Sequence, residues 1–432
     1  MEGKYSEERC AFDMKLPLLF GFVAAGTISA GTTTPPASVT FSKDVALILQ
    51  KNCQTCHRPG EIAPMSFLTY EQVRPWAKAI REAVLKRNMP PWHADPHYGT
   101  FRNDRSLSQT DIDTVVSWVN AGAPQGDPKD LPPPAKFEDG WRIGKPDVEI
   151  GMEKPFSVPA SGVMDYQHFT VPTHFTEDRW VQMAEIRPGN RAVVHHVIAF
   201  VVPPKSNPNH DPVECLSGFA PGAVPFEVEP GRAKLIPAGS DIVFELHYTP
   251  NGTAATDQTK VGLIFSKEPP KERVYSIILN AYHFAIPPGD ANYPVQTDLE
   301  FGTDVKLLSM MPHMHFRGKD FEMSLIMPNG QSQTLVSVPH YNFAWQTMYY
   351  LKDEIPAPKG SKIHLTGHFD NSTNNIYNPN PAETVRWGEQ TFHEMFGDFS
   401  EIAVPVGTDV RKIVAWQEPK PAKWGKKAEP EP

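Results

Sequence analysis

The sequence has little cysteine, no long apolar run and no excess of positive charge. Only four cysteines occur in 432 residues, which excludes a fold stabilised by many disulfides. The formal net charge is −9 at pH 7, which argues against a nucleic-acid partner. The longest apolar run, residues 16–24, is short and interrupted by glycine, so no stable membrane span is predicted.

This apolar run is typical of a secretory signal. Residues 1–13 are polar and charged, Met14-Lys15 resembles a true start, and Ile28-Ser29-Ala30 offers a small-residue cleavage site. We therefore expect residues 1–30 to be an N-terminal extension and signal peptide, and the mature protein to be periplasmic or otherwise exported. The mature chain then keeps three cysteines, which are Cys53, Cys56 and Cys215.

Two of these cysteines lie in the sequence Cys53-Gln54-Thr55-Cys56-His57. The pattern Cys-x-x-Cys-His attaches a haem covalently, because the thiols form thioethers with the vinyl groups and the histidine binds the iron. A zinc site would need two further ligands nearby, and a thioredoxin-like pair would lie in a βαβ unit. The sequence around the motif predicts neither. We expect one covalent haem c bound by Cys53, Cys56 and His57.

Helical patterns surround this attachment motif. Ser42 precedes one apolar stripe as a potential N-cap, Thr69 and Gln72 have the spacing of a capping box, and Ser108 precedes a third stripe. Three amphipathic helices around such a motif resemble a class I cytochrome c. Residues 38–125 are therefore predicted to form an all-α cytochrome c domain.

The distal iron ligand of an electron-transfer haem is expected to be a thioether, which raises the reduction potential. Met89, followed by Pro90 in the loop between the second and last predicted helices, matches the Met-Pro position of small cytochromes c. Met65 is an alternative, although it follows His57 closely. His93 and His97 are further alternatives that would give a lower potential.

The remainder of the chain is predicted to be β-rich. After residue 150, short runs rich in Val, Ile, Phe and Tyr alternate with Gly, Pro and Asn, and no long helical pattern occurs. The proline-rich segment after the helices reads as a flexible spacer that fixes no single geometry. The predicted parts are a linker at 126–146, two antiparallel β-sandwich domains at 147–287 and 288–416, and a disordered tail at 417–432.

Histidines recur in this region at spacings that suit metal binding. In a strand, His313 and His315 are separated by two residues and therefore share a face. His195 and His196 are adjacent, so joint binding of one ion requires a bulge or strong local twist. Imidazoles together with one thioether suit copper, whereas zinc rarely takes methionine. The candidate ligands are His195, His196, His247, His313, His315 and Met395.

The order His-His, His-Tyr, His-x-His and Glu-Met resembles the copper type II, ascorbate-dependent monooxygenases, which include the peptidylglycine α-hydroxylating and dopamine β-monooxygenases. The resemblance covers roughly residues 147–416. It implies two jelly-roll-like β-sandwich domains that face each other across a cleft, with one copper each. By this resemblance one copper, for electron transfer, is bound by His195, His196 and His247. The other, where dioxygen is activated, is bound by His313, His315 and Met395.

The implied activity is hydroxylation of a C–H bond in a small organic substrate by dioxygen, with two electrons per turnover. The cysteines that link strands in the animal enzymes are missing, and the haem-binding part is additional. We therefore expect two copper ions and one haem c, with electrons supplied through the haem by an external donor, either ascorbate or a periplasmic redox protein. The alternatives are an electron-transfer or copper-binding protein without hydroxylation activity, and a haem-based redox sensor.

Overall fold

A computed structural model describes residues 39–61, 63–137, 140–204, 214–220 and 224–419. Strand accounts for 39% of the described residues and helix for 13%, which confirms that β-structure predominates over helix. Within the described ranges, no helix is both long and apolar enough to cross a membrane. The predicted signal peptide and most of the predicted tail, residues 420–432, lie outside the described residues.

The helices lie in the N-terminal part of the described chain. They enclose an apolar cluster whose members include Leu49, Val73, Val84 and Trp118. The helical elements are a π-helical turn at Phe41–Val45, α1 at Ala46–Asn52, α2 at Tyr70–Val73, a 3-10 turn at Arg74–Trp76, α3 at Ala77–Leu85 and α4 at Gln109–Asn120, followed by 3-10 turns at Pro128–Asp130 and Val410–Lys412.

Side chains satisfy the free backbone N–H groups at two helix starts, as the sequence predicts. Thr69 Oγ1 accepts a hydrogen bond of 3.4 Å from Gln72 N, and Gln72 Oε1 accepts one of 3.3 Å from Thr69 N. Ser108 Oγ accepts a hydrogen bond of 3.1 Å from Asp111 N. Both contacts remove unpaired donors from a first turn, which stabilises a helix by about 1 kcal/mol.

The predicted N-cap at Ser42 is wrong. Thr40 occupies that position and accepts a hydrogen bond of 3.3 Å from Lys43 N. Ser42 lies inside the first turn and is fully buried. The helix begins earlier than predicted because Phe41 is also buried in the helical core.

The rest of the described chain is built from strands. Their bounds are β1 (Val148–Gly151), β2 (Phe156–Val158), β3 (Gln167–Pro172), β4 (Arg179–Arg187), β5 (Val194–Val202), β6 (Glu214–Phe219), β7 (Phe226–Glu227), β8 (Arg232–Ile236), β9 (Asp241–Tyr248), β10 (Ala255–Asp257), β11 (Lys260–Phe265), β12 (Glu272–Ala281), β13 (Ala285–Ile286), β14 (Tyr293–Phe301), β15 (Val305–Met310), β16 (Pro312–Met314), β17 (Gly318–Ile326), β18 (Ser332–Val338), β19 (Tyr349–Ala357), β20 (Lys362–Phe369), β21 (Val385–Arg386), β22 (Phe396–Pro405) and β23 (Val414–Gln417). The last strand extends to Gln417, the first residue of the predicted tail.

One large sheet runs through both predicted β domains. Its strand order is β1-β11-β4-β8-β12-β22-β15-β19, with β7 paired to β4 and β16 paired to β22. Two smaller sheets pack against it, in the orders β18-β17-β20-β14-β23 and β3-β9-β5-β6. β12 joins the halves because it pairs with β8 in parallel and with β22 in antiparallel orientation.

Two apolar cores lie along this sheet. One contains buried residues from Ile150 to Val274, and the other contains buried residues of the β region from Tyr275 to Ile413. The cores therefore separate within β12, between Val274 and Tyr275, rather than between residues 287 and 288.

The loop between α3 and α4 docks on the second β core. Trp92 is 8% exposed and belongs to that core, and its ring lies 4.9 Å from the ring of Tyr349. Phe101 forms a β-bridge with Leu351. The expectation of a tether without fixed geometry is wrong, because residues from the middle of the helical part are buried in the β part.

Candidate metal and haem sites

Three histidines converge on the end of the β5–β9 pair. We call His195, His196 and His247 the three-histidine site; one ring nitrogen from each lies within 4.8 Å of the others. The Nδ1 atoms of His195 and His196 are 3.0 Å apart. Among the described residues, this is the one group of three or more His, Cys, Asp or Glu side chains with such geometry.

A local irregularity turns the adjacent histidines toward one another. β5 pairs with β9 through Val194 with Tyr248 and through His196 with His247, so His195 has no cross-strand partner. This is the bulge that joint binding by adjacent residues requires. The hydroxyl of Tyr248 donates a hydrogen bond of 2.9 Å to a buried Asp257, which fixes the end of β9 beside His247.

An aromatic side chain that sequence reasoning missed covers this site. The ring of Tyr166 lies 5.5 Å from His196 and 5.1 Å from His247. Tyr166 comes immediately before β3, which pairs with β9. Its position in the sequence could have indicated this contact. Tyr166 comes one residue before a strand that pairs with β9, and this pairing brings it opposite His247.

The electrostatics of the three-histidine site favour neutral imidazoles. Burial lowers the pKa of His195, lowers the pKa of His247 to about 4 and holds the pKa of His196 well below its usual range. The Nδ1 atom of His247 is buried and has no hydrogen-bond partner among the described residues. Neutral, buried and unpaired ring nitrogens are suitable ligands for a metal ion.

His313 and His315 form a second pair, which we call the two-histidine site. Their ring centroids are 5.2 Å apart at an interplanar angle of 85°, and the residues are 7% and 1% exposed. Met314, between them, faces the opposite side and is fully buried in the apolar core, as predicted. The alternation of a strand therefore presents both imidazoles on one face.

Hydrogen bonds fix the orientation of both rings. Nδ1 of His313 lies 3.1 Å from Oε1 of Gln346, and Nδ1 of His315 lies 3.4 Å from the carbonyl oxygen of His393. Both contacts require Nδ1 to carry the proton. The unprotonated Nε2 of each ring is therefore free to bind a metal ion. Nε2 of His315 is buried without a partner among the described residues. Burial lowers the pKa of His313 to about 4 and holds that of His315 well below its usual range.

The strand register predicts that Met395 lies near this pair. β16 pairs with β22 through Met314 with Phe396 and His313 with Gly397. Extending the same register by one residue places Met395 opposite His315, on the face that carries both imidazoles. Gly397 allows β22 to lie close to β12, because a Cβ there would collide with Asn280 Oδ1 and with the carbonyl oxygen of Leu279.

A buried ion pair between Glu394 and Arg317 lies beside the two-histidine site. Glu394 accepts hydrogen bonds of 3.0 Å from His315 N and 2.7 Å from Arg317 N. The Arg317 guanidinium lies 3.8 Å from the same carboxylate and donates a bond of 2.8 Å to Asn371. Arg317 was missed by sequence reasoning, although its partner Glu394 belongs to the Glu-Met element on which the resemblance rests.

The attachment motif follows directly after α1. His57 N donates a hydrogen bond of 3.0 Å to Cys53 O, and the His57 ring stacks on Phe67 at 4.2 Å. Nδ1 of His57 lies 3.3 Å from Met65 O, which leaves Nε2 for an iron ion. Burial raises the pKa of Cys53 to about 12, so this thiol is not the low-pKa nucleophile of a thioredoxin-like pair.

Of the four potential distal iron ligands, two lie in the helical part and two in the loop that docks on the β part. Met65 packs against the helical core, and Met89 lies in the turn after α3, where Met89 N bonds to Ala83 O at 3.4 Å. His93 lines a small cavity with Tyr349 in the β part. His97 is exposed and lies 2.6 Å from Asp95 in the docked loop. The choice of Met89 stays a prediction.

A cavity of about 560 Å³ borders the three-histidine site. His195 and His247 line one side of it, and Phe316, Phe343 and Tyr377 line another. Its volume is in the range of pockets that hold small organic molecules.

The attachment motif is joined to the three-histidine site by an ion pair. Glu61, four residues after His57, contacts Arg191, four residues before His195. The side chains are 17% and 15% exposed, so the pair is largely shielded from water. The helical part is thus fixed on the β part next to the strand that carries His195.

The chain matches no protein-family model and no curated protein. Among solved structures, it is similar to one described as "Crystal Structure of the STIV MCP", at 8% identity and a TM-score of 0.30, over 60% of this chain and 96% of that one. It is also similar to "Structure of PNGF-II in C2 space group", at 10% identity and a TM-score of 0.28, over 60% of this chain and 64% of that one. Both scores are below 0.5 and carry no argument about function.

Proposed function

We propose that the protein is a periplasmic dicopper monooxygenase that hydroxylates a C–H bond of a small organic substrate, with electrons supplied through a covalently bound haem. In this proposal residues 39–125 are a cytochrome c domain and the two β cores are jelly-roll-like copper domains. The observation that carries the proposal is the approach of the two histidine groups at Phe343, whose ring contacts both His195 and His315 and lines a cavity of about 560 Å³.

The ligand sets suit copper in both oxidation states. The three-histidine site offers imidazoles only, and the two-histidine site adds the thioether of Met395 across the strand pair. When bound, copper supplies the activation of dioxygen and the storage of one electron per site. The balanced reaction consumes the substrate, one dioxygen, two electrons and two protons, and it yields the hydroxylated product and one water.

The protein's own residues prepare both sites for this chemistry. Gln346 and the carbonyl of His393 hold the Nδ1 protons of His313 and His315, so the Nε2 atoms stay free for the metal. Glu394 holds the backbone of His315 in place. The aromatic rings of Phe316 and Phe343 exclude water from the cavity wall, where a substrate C–H bond would lie.

The docked helical part supports a role for the haem in electron delivery. Its contacts with the β part through Trp92 and through Glu61 keep the attachment motif at a fixed position beside the three-histidine site. Ascorbate or a periplasmic redox protein is the expected external donor. An electron-transfer protein without hydroxylation activity is the alternative outcome of the test.

Oxygen consumption by the haem- and copper-loaded protein tests the proposal. A library of small organic molecules is screened with ¹⁸O₂, and hydroxylated products are detected by mass spectrometry. We expect one ¹⁸O atom per product and no product with His313→Ala. His364→Gln is the matched control, since His364 is a strand histidine that lies 2.6 Å from Asp298 in another sheet. Haem and copper binding without any ¹⁸O-labelled product would favour the electron-transfer alternative.

A further inference from the structure

One phenylalanine contacts histidines of both sites. The ring of Phe343 is stacked on His195, with centroids 5.6 Å apart and an interplanar angle of 14°. The same ring lies 6.0 Å from His315 at 87°. Since His195 and His315 belong to different histidine sites, a single side chain spans the space between them.

The segment that carries this ring is fixed to the two-histidine site at both ends. Tyr341 OH accepts a hydrogen bond of 3.0 Å from Met314 N and donates one of 3.0 Å to Met314 O. At the other end, Gln346 contacts His313 at 3.1 Å. Between them, Asn342 Oδ1 accepts a hydrogen bond of 3.0 Å from Ala344 N, which holds the turn.

A second ring supports Phe343 from the side of the cavity. Phe316 packs edge-on against it at a centroid distance of 4.8 Å, and such aromatic pairs contribute about 0.5–1.5 kcal/mol beyond the area they bury. Phe343 is therefore held by Phe316 and by its own anchored segment. Its position is determined from the two-histidine side, and it projects onto the three-histidine site.

We infer that Phe343 is a positioning residue that sets the separation of the two metal sites and forms the contact through which they communicate. The inference rests on the proposed function, because it concerns the same two sites. The planar ring is rigid and is held edge-on by Phe316, so it keeps a defined position that a smaller aliphatic side chain would not keep. Removal of the ring leaves a space that water or a shifted His195 can occupy.

The consequence for turnover follows from this geometry. With copper bound at both sites, each cycle would require one electron to pass from the three-histidine site, whose ion would be oxidised by one unit, to the two-histidine site, whose ion would be reduced by one unit, without breaking a bond. The Phe343 ring fills the space between His195 and His315. Loss of the ring should therefore uncouple oxygen consumption from product formation.

Pulsed dipolar EPR on the haem- and copper-loaded full chain tests the inference by measuring the distance distribution between the two cupric ions. We expect one narrow distribution for the wild type, a shifted and broader one for Phe343→Leu, and recovery of the wild-type distribution with Phe343→Tyr, which keeps the ring. Phe399→Leu is the matched control, because Phe399 contacts His313 at 5.6 Å but belongs to one site.

Two outcomes would overturn the inference in distinguishable ways. A wild-type protein that binds fewer than two coppers would remove the proposed function and the inference together. Two bound coppers with the same distance distribution in wild type and Phe343→Leu would overturn the inference alone. Product formed per dioxygen consumed is the second readout, and it should fall in Phe343→Leu and not in Phe399→Leu.

Discussion

Lys234 and Glu401 form a buried ion pair, with 2.7 Å between Nζ and Oε1, where the two halves of the large sheet meet. Lys234 also donates to Cys215 O at 2.8 Å and to Ser276 Oγ at 3.1 Å, so its ammonium group is fully hydrogen-bonded. Glu401 accepts a further bond of 3.2 Å from Ser309 Oγ. The two β cores are thus joined by one polar network.

Lys234→Met should lower the free energy of unfolding by about 3–5 kcal/mol, because it leaves the Glu401 carboxylate buried without its counter-ion. Urea unfolding of the full chain measures this effect. The double variant Lys234→Met, Glu401→Leu should recover most of the loss. The exposed pair of Lys260 with Glu149 is the matched control, and Lys260→Met should change stability by less than about 1 kcal/mol. Equal effects of the two single variants would contradict the prediction.

Met395→Ala should abolish hydroxylation while the haem spectrum and the metal at the three-histidine site remain unchanged. The physical reason is that the β16–β22 register, extended by one residue, predicts that Met395 lies opposite His315 and so belongs to the two-histidine site alone. His247→Ala should instead slow the re-reduction of the metal sites between turnovers. Metal analysis and EPR of each variant separate these effects, and full activity of Met395→Ala would remove methionine from the ligand set.

Met89→Leu should lower the reduction potential of the haem and change its visible spectrum, since a thioether ligand to iron favours the ferrous state. Met65→Leu is the matched control. It keeps the apolar contact with the helical core and the backbone carbonyl that lies 3.3 Å from His57 Nδ1. If Met65→Leu alone changed the potential, Met65 would be the distal ligand.

Stability should depend on pH through Asp398. Burial raises the pKa of Asp398 from 3.8 to about 7, so the folded protein binds more protons than the unfolded chain between these values. The contribution of this group is therefore fully present below about pH 3.8 and is lost as pH rises toward 7. Asp398→Asn keeps an acceptor for Met311 N and should remove about 2–4 kcal/mol of this pH dependence.

Urea unfolding at several pH values checks the prediction for Asp398. Asp304→Asn is the control, because Asp304 also accepts a backbone hydrogen bond, 2.8 Å from Lys359 N, but is exposed. A stability profile of Asp398→Asn that is parallel to the wild-type profile would contradict the prediction, because it would show that the pKa of this carboxyl is the same in the folded and unfolded protein.

Cleavage of the chain at a protease site placed in Asp127–Lys129 should not release the haem-bearing fragment. Trp92 is buried in the second β core and Arg102 N donates a hydrogen bond of 2.9 Å to Tyr350 O, so the fragments are held by packing as well as by the linker. Gel filtration after cleavage measures the association. Trp92→Ala in the cleaved protein should promote separation, and separation without that substitution would favour a flexible tether.

The sequence predicted those features that depend on local periodicity. The spacing of His313 and His315 placed both on one face, and the adjacency of His195 and His196 required the irregularity that the β5–β9 pair shows. The capping box at Thr69 was likewise predicted because its partners are three residues apart.

Features that depend on distant contacts could not be predicted. Phe343 meets His195 across almost 150 positions of the chain, and no periodic pattern indicates such a contact. Trp92 has the sequence environment of a helical domain but is buried in a β core. The meeting of the two cores within β12 could not be predicted for the same reason, since β12 is a continuous strand whose two ends serve different cores.

The role of β12 in both halves constrains how this architecture could be divided or recombined. A fragment that ended before β12 would leave β8 without one neighbour, and a fragment that began after it would leave β22 without its ten-residue partner. Exposed strand edges of this length associate with other chains. Either half expressed alone should therefore aggregate, and exchange of one metal-binding half for that of another protein would succeed only if the donor supplied β12 as well.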